Sequence, residues 1–229
     1  MKNLELKMQL IEKFGIADTP ETIKFCKEAY KFITEDAEEP IAPVSVSAVP
    51  NGLYIVYDDG TCKPYTGNNP ESDKEGAVLI GVAVDGHTYG VTLKDKGSFS
   101  LVRNTDDCPE EHPLYRERQC DALSDWDFIE RTKHIQEVGT DIPLDEGEYI
   151  PSLPVLVNMC HHADKGLNKA LEFIGGEPLK MDEDYWRSTE YGRNYARNVN
   201  FGNGNTYNYS KYGGIVVRAV TAFNYRPRA

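Results

Sequence analysis

Hydrophobic positions along the chain change period three times, between helical spacing and the shorter period of strands. Leu4, Met8 and Ile11 recur at helical spacing, and DTPETIKFCKEAYKFI repeats the pattern with Ile23, Cys26, Tyr30 and Ile33 as its stripe. Thr19 is placed to cap that second helix and Pro20 to begin it, so the pattern predicts a helical hairpin. The period is lost in EDAEEPIAPVSVSAVPNG, an acidic, proline-bearing stretch that reads as a connection. The predicted division is a helical segment with its linker over 1–45 and one domain over 46–229. Beyond the linker the period shortens. GLYIVYDDGT and GAVLIGVAVDGHTYGVTLKD are dense in Val, Ile and Tyr and broken by Asp-Gly pairs, which predicts strands joined by tight turns.

Helical patterning then returns in two places. LSDWDFIERTKHIQEVG offers Ser124 as a cap and Gly139 as a stop, and ADKGLNKALEFIGG puts Leu167, Ala170, Leu171 and Ile174 on one face ahead of Gly175 and Gly176. Alternation resumes in ARNVNFGNG, where Val199 and Phe201 fall on one face of a strand, Asn198 and Asn200 fall on the other, and Gly202 and Gly204 allow the chain to turn. IVVRAVTAF is apolar enough for a central strand. Together these elements predict an α+β fold with mixed, mainly antiparallel sheets and two main helices, and no internal repeat interrupts it.

Composition narrows the function. A chain of 229 residues with 40% hydrophobic content can bury a full core without covalent staples. Its five cysteines are odd in number and lack CxxC spacing, so they are expected to be reduced. No apolar run reaches membrane-spanning length, and MKNLELKMQLIEKFG lacks the basic, apolar, small-residue order of a secretory signal. The expectation is no membrane insertion, with the protein virion-associated or cytoplasmic before nonstandard export. A net charge of -12 argues against general nucleic-acid binding, which needs Lys and Arg on phosphates. Between Tyr185 and Arg218, however, the ionised residues are Arg187, Glu190, Arg193, Arg197, Lys211 and Arg218, a basic segment on an acidic body.

That segment carries the candidate chemistry. RNYARNVNFGNGNTYNYSKYGG is crowded with Tyr, Asn and Gly and has few core-sized aliphatic residues. Tyrosine supplies broad, stiff contact area with a hydroxyl. Ser, Asn and Gly supply adaptable hydrogen bonds, and Arg adds a planar charged fork. Raised on strands at one edge of the fold, these side chains are expected to form a single recognition patch. The plain alternative is a polar surface hairpin with no ligand.

The order of GVAVDGHTYGVTLKD, DWDFIERTKHIQ, GEYIPSLPVLVNM, FIGGEPL, YWRSTEY, NYARNVNFGNGNT and VVRAVTAF, over roughly residues 50 to 225, resembles the variable proteins of diversity-generating retroelements. Their ligand-binding domains have the C-type lectin fold, and the same layout occurs in phage receptor-binding proteins. The resemblance implies a variable region at about 185–218, copied from a template whose adenines mutate and whose asparagine codons mark solvent-facing positions. Substitution at the first two bases of such codons can give Tyr, Gly, Arg, Ser, Asp or Ile but never Trp, Met, Gln, Lys or Glu. The ligand-binding positions so implied are Arg187, Tyr191, Gly192, Arg193, Asn194, Tyr195, Tyr207, Asn208, Tyr209, Ser210, Tyr212, Gly213, Gly214 and Ile215. On that reading Ile215 is exposed and diversified, Lys211 is fixed, and Tyr185, Trp186, Val199, Phe201, Val217 and Val220 are scaffold. Arg187 stands where serine is usual in the family, and Arg197, where Trp or Arg is usual, is left open between brace and contact.

The implied function is non-enzymatic recognition of a protein or cell-surface ligand, with no cofactor, no metal and no nucleic acid. A structural or assembly component of a virion or cell surface is the alternative from another class. Formylglycine-generating oxidases share the fold class, but Cys160 stands alone in the C-terminal core. Cys160, His161, His162 and Asp164 in MCHHAD do not converge as neighbours on a helix, and GGEP is followed by Leu179 where a calcium-dependent lectin would have asparagine. Asp106 and Asp107, like Asp182, Glu183 and Asp184, read as solvated acidic turns, and Trp126 and Trp186 as core aromatics.

Overall fold

The structure, a computed structural model, describes residues 49–228, which belong to one compact unit; the predicted N-terminal helices lie outside the described residues. The first hairpins follow the Val/Ile/Tyr runs: β1 (Gly52–Tyr57), β2 (Cys62–Pro64), β3 (Ala77–Val84) and β4 (His87–Phe99). Between β3 and β4 the two-residue loop is Asp85-Gly86, with φ of 48° and 83°. Both central residues of such a turn need positive φ, which is why Asp-Gly closes this hairpin with the twist of its strands.

Helices fill the middle of the chain: α1 (Gln119–Leu123), α2 (Phe128–Val138), α3 (Leu153–His162) and α4 (Asn168–Phe173). The expected cap of α2 is corrected. Asp127, not Ser124, accepts the Glu130 N–H at 2.9 Å, while Ser124 ends α1. Asp125 and Asp127 are spent locally, so the helix starts after the acidic run. Gly139 does end it. The second expected helix starts earlier than its stripe suggested, because Pro154 opens α3, and a π turn (Ala163–Leu167) joins it to α4.

After the two-residue β5 (Glu148–Tyr149) and the helices come β6 (Asp184–Glu190), β7 (Tyr195–Asn200), β8 (Thr206–Ser210) and β9 (Ile215–Thr221). The sheet runs β2-β1-β3-β4-β9-β6-β7-β8, with β5 also on β9. All pairings are antiparallel except β6 with β9. The protein is thus α+β with a mostly antiparallel open sheet and few helices, and IVVRAVT is central in it as its hydropathy required.

Its core has two sides. Ile55, Ile80, Val91, Tyr185, Val199, Val216 and Val220 pack with Leu156, Met159 and Leu171 of the helices. Trp186, Ala196, Ile215 and Val217 pack with Leu101, Ile135 and Ile150. Burial on both faces explains why β9 is continuously apolar instead of alternating. Arg218, fully buried within it, donates to Asp95 at 2.6 Å and to the carbonyls of Thr92 and Glu177 at 3.0 Å, which satisfies a charge that hydropathy placed at odds with the strand. Trp126 is half-buried and stacked on His87, and Trp186 is fully buried with its indole N–H on the Phe99 carbonyl. Among the described residues, no helix is long and apolar enough to cross a membrane.

Candidate functional site

The late hairpin forms as its alternation predicts. β7 and β8 pair Tyr195 with Ser210, Ala196 with Tyr209, Arg197 with Asn208, Asn198 with Tyr207 and Val199 with Thr206. Its base is anchored by Val199 and Phe201 in the core and by Asp184, whose two carboxylate oxygens accept from Asn198 at 2.9 Å and Asn200 at 2.7 Å. Those asparagines hold strands together, so the asparagine-rich composition serves the scaffold as well as the surface.

Tyr195, Tyr207, Tyr209 and Tyr212 are 50%, 47%, 45% and 51% exposed. Residues opposite one another share a face, and successive residues alternate. The register therefore puts Tyr207 and Tyr209 on one face with Ala196 and Asn198, and Tyr195, Asn208 and Ser210 on the other. The expected single patch is corrected: the tyrosines clothe both faces of a two-stranded ribbon, because period 2 separates position 195 from positions 207 and 209 in this register.

Neighbouring elements stiffen the ribbon. Tyr209 meets Trp186 edge-on at 6.1 Å, and its ring lies over Gly213, where a Cβ would fall 2.0 Å from a ring carbon; glycine is needed there for the tyrosine to lie flat. Gly214, also exposed, sits beside Ser98. The Tyr212 hydroxyl donates to Asn104 Oδ1 at 2.9 Å and accepts from the Thr105 N–H at 3.0 Å. Half-buried Arg193 reaches the same loop, donating to the Thr105 carbonyl at 3.2 Å and pairing with Glu110 and Asp106. Exposed Asn194 uses its carbonyl on the Lys211 N–H, and half-buried Ser210 uses its hydroxyl on the Tyr212 N–H. Tyr191 covers the Arg197 guanidinium at 5.4 Å. That guanidinium donates to the carbonyls of Glu117 at 2.5 Å and Arg116 at 3.4 Å, so Arg197 is a brace.

Two of the implied contact positions are inside. Ile215, 5% exposed, is the first residue of β9, paired with Phe99 and packed with Trp186, which corrects the expectation that it is exposed. Arg187, 0% exposed, lies under the ribbon with none of its three guanidinium nitrogens hydrogen-bonded among the described residues. Burial, aided by nearby Arg197, pushes its pKa down. Most of the basic character read from the segment stays inside: Arg187, Arg197, Lys211 and Arg218 are all buried, and of its five cations Arg193 alone is partly exposed. Lys211 is fully enclosed. Its ammonium donates to Glu190 Oε1, with Cys108 Sγ at 3.7 Å and the Tyr115 ring at 5.1 Å. His134 Nε2 lies 3.4 Å from the other Glu190 oxygen and stacks on His112 at 3.9 Å.

Beside Gly192 a groove of ≈ 490 Å³ is walled by Glu110, Glu111, His112, Tyr115, Arg116, Glu117, Arg118 and Asp121. PEEHPLYRERQCD carries no periodic signal, and only tertiary contact makes it a wall. The thiols of Cys62, Cys108 and Cys160 are pushed up by burial, which keeps them protonated. In MCHHAD, Cys160 faces the Phe201 carbonyl while His161 faces Lys165 at 2.7 Å, so the side chains diverge; among the described residues no three His, Cys, Asp or Glu are arranged around a metal site. The site offers aromatic hydroxyls, amides and exposed strand backbone, the means of recognition by contact.

No protein-family model matches the chain, and no curated protein matches it. Among solved structures, a fimbrial protein from Bacteroides ovatus superposes with a TM-score of 0.49 at 15% identity, over 76% of this chain and 49% of that one. The chain spans about half the length of that protein.

Proposed function

We propose that the protein is a non-enzymatic recognition protein whose C-type lectin-like scaffold presents a diversified Tyr/Asn/Gly ribbon to a protein or cell-surface ligand, as in the variable proteins of diversity-generating retroelements. The observation that carries this reading is the half-exposure of Tyr195, Tyr207, Tyr209 and Tyr212 on backbone anchored by fully buried Trp186, Val199 and Val217. Large aromatic rings left half in water on a well-anchored frame are the residue type that dominates binding hot spots. Fixed Lys211 among variable neighbours fits the same scheme, since its ammonium is part of the interior. The contact set is narrowed from the sequence reading: Arg187 and Ile215 leave it, Arg193 and Tyr191 border it, and the exposed tyrosines with Asn194, Asn208 and Gly214 remain.

Two experiments test the reading. Sequencing the DNA around the gene is expected to find a near-identical repeat of the codons for 185–218, differing at adenines and lying beside a reverse transcriptase. In a binding assay on a panel of intact bacterial cells, the labelled chain is retained by at least one type, and replacing Tyr195, Tyr207 and Tyr209 together by Ala abolishes retention. With about 2 kcal/mol lost per hot-spot residue, the triple variant falls below detection. Equal retention by a normally folded triple variant refutes the assignment of the ribbon.

A further inference from the structure

The two edges of the sheet are treated differently. At one edge, β2 is three residues long, contains Lys63 and Pro64, and is covered by residues 226–228: the Cys62 N–H donates to Arg226 O at 2.7 Å and the Arg228 N–H to Cys62 O at 2.9 Å. Short length, charge, proline and cover are the standard protections against strand pairing. At the other edge β8, Thr-Tyr-Asn-Tyr-Ser, has no charge, no proline and no break in its register with β7. No strand among the described residues lies beyond it.

The backbone of β8 shows which groups face outward. Just beyond the strand pairs, Asn200 N–H donates to Asn205 O at 2.9 Å and Lys211 N–H to Asn194 O at 3.1 Å. Bonded and non-bonded pairs alternate in an antiparallel ladder. Tyr207 and Tyr209 therefore direct their N–H and C=O groups to β7, and Thr206, Asn208 and Ser210 direct theirs away from it. Of these outward groups, the Ser210 carbonyl accepts from the Gly213 N–H at 2.9 Å, while Gln119 reaches only the Thr206 hydroxyl. Asn208, at the centre of the strand, is exposed.

We infer that β8 is a self-association edge, and that its occupant is β8 of a second copy of this chain, paired antiparallel about a two-fold axis at Asn208. The argument for a second copy is the strand itself, which reads nearly the same in both directions. Pairing about Asn208 sets Thr206 opposite Ser210, Asn208 opposite Asn208 and Tyr207 opposite Tyr209 of the other copy. The outward groups then meet as about four new N–H···O bonds, two between the Asn208 residues and two from Ser210 N–H to Thr206 C=O. Tyr207 and Tyr209 fall in the narrow, non-bonded pairs, where cross-strand side chains approach most closely. Because the pairing is edge to edge, it leaves the faces open. The tyrosine pair of one copy lies opposite that of the other, giving a cluster of four rings in two cross-strand pairs on one face of a continuous sheet. Neither chain has this cluster alone.

The test is the oligomeric state of the full 229-residue chain without ligand, so its outcome is separate from whether the ribbon binds anything else. Sedimentation velocity from about 1 to 200 µM is expected to show a concentration-dependent shift to twice the chain mass. Asn208→Pro removes an outward N–H without touching the bonds to β7, and is expected to weaken association about 100-fold at an unchanged melting temperature. Should that variant unfold, Asn208→Cys in a Cys26→Ser, Cys120→Ser background supplies the second measurement. An opposed bonded pair has Cα atoms about 5.5 Å apart, within disulfide range. Mild oxidation is expected to cross-link that variant and to leave Asn203→Cys, at the hairpin tip, monomeric. A wild-type chain monomeric throughout, an Asn208→Pro variant that folds and associates as tightly as wild type, or cross-linking at 203 but not at 208, overturns the inference.

Discussion

Replacing Lys211 by Met removes one half of a buried ion pair from the middle of the exposed segment. The ammonium is 0% exposed and its partner, the Glu190 carboxylate, is 1% exposed. With the lysine gone, one Glu190 oxygen keeps only His134 at 3.4 Å, and burial lowers the pKa of that imidazole, so at pH 8 it is neutral and offers no compensating charge. A buried carboxylate stripped of its partner costs about 3–5 kcal/mol. Against a total stability of about 5–15 kcal/mol, that is a loss of about a fifth or more. Urea unfolding at pH 8 reads it directly as a lower midpoint at unchanged slope. The double variant Lys211→Met/Glu190→Gln neutralises both members and is expected to regain at least about 2 kcal/mol over the single variant, the non-additivity that coupled buried charges show. A single variant losing less than about 1 kcal/mol, or strict additivity in the double, would refute the assignment of Lys211 and Glu190 as a coupled buried ion pair.

Three further outcomes follow from the same geometry. Arg187→Met replaces an unpartnered buried guanidinium by an apolar chain of similar length and is expected to stabilise the fold by about 1–4 kcal/mol in the same assay; destabilisation would mean the guanidinium has a partner in solution. Gly213→Ala places a methyl 2.0 Å from the Tyr209 ring, so the ring is expected to leave Trp186, with a change in tryptophan fluorescence and little change in stability; an unaltered spectrum counts against the packing. Burial holds His134 and His162 below 6.5, so the unfolded chain binds more protons as pH falls through that value. Stability from these groups is complete above about pH 6.5 and declines below it, levelling once their folded pKa values are passed, and His134→Gln is expected to flatten that decline in a pH series of unfolding midpoints.

Local chemistry made much of the fold readable. The Asp85-Gly86 turn, the Gly139 stop, the central position of IVVRAVT and the hairpin around Gly202 and Gly204 each follow from a few adjacent residues, so they were accessible without coordinates. Ser124 failed as a cap because another short acidic side chain, Asp127, lay nearer the first turn of the helix. Ile215 failed as a contact because codon chemistry says which residues are permitted at a position and nothing about which face of a strand they occupy. The groove beside Gly192 left no trace, since its wall is a loop brought there by partners more than seventy residues away in sequence, such as Arg193 on Glu110.

Sequence alone determined the alternation, the turns, the apolar central strand and the concentration of Tyr, Asn and Gly in one late segment, because these depend on backbone preference and side-chain type. Only tertiary structure decided that four of the segment's cations are interior, that its tyrosines divide between two faces, and that among the described residues one sheet edge is covered while the other is open. Those outcomes depend on register and on contacts between distant strands. A one-residue shift in pairing would have turned every side chain of the shifted strand to the opposite face of the sheet without altering a letter of the chain.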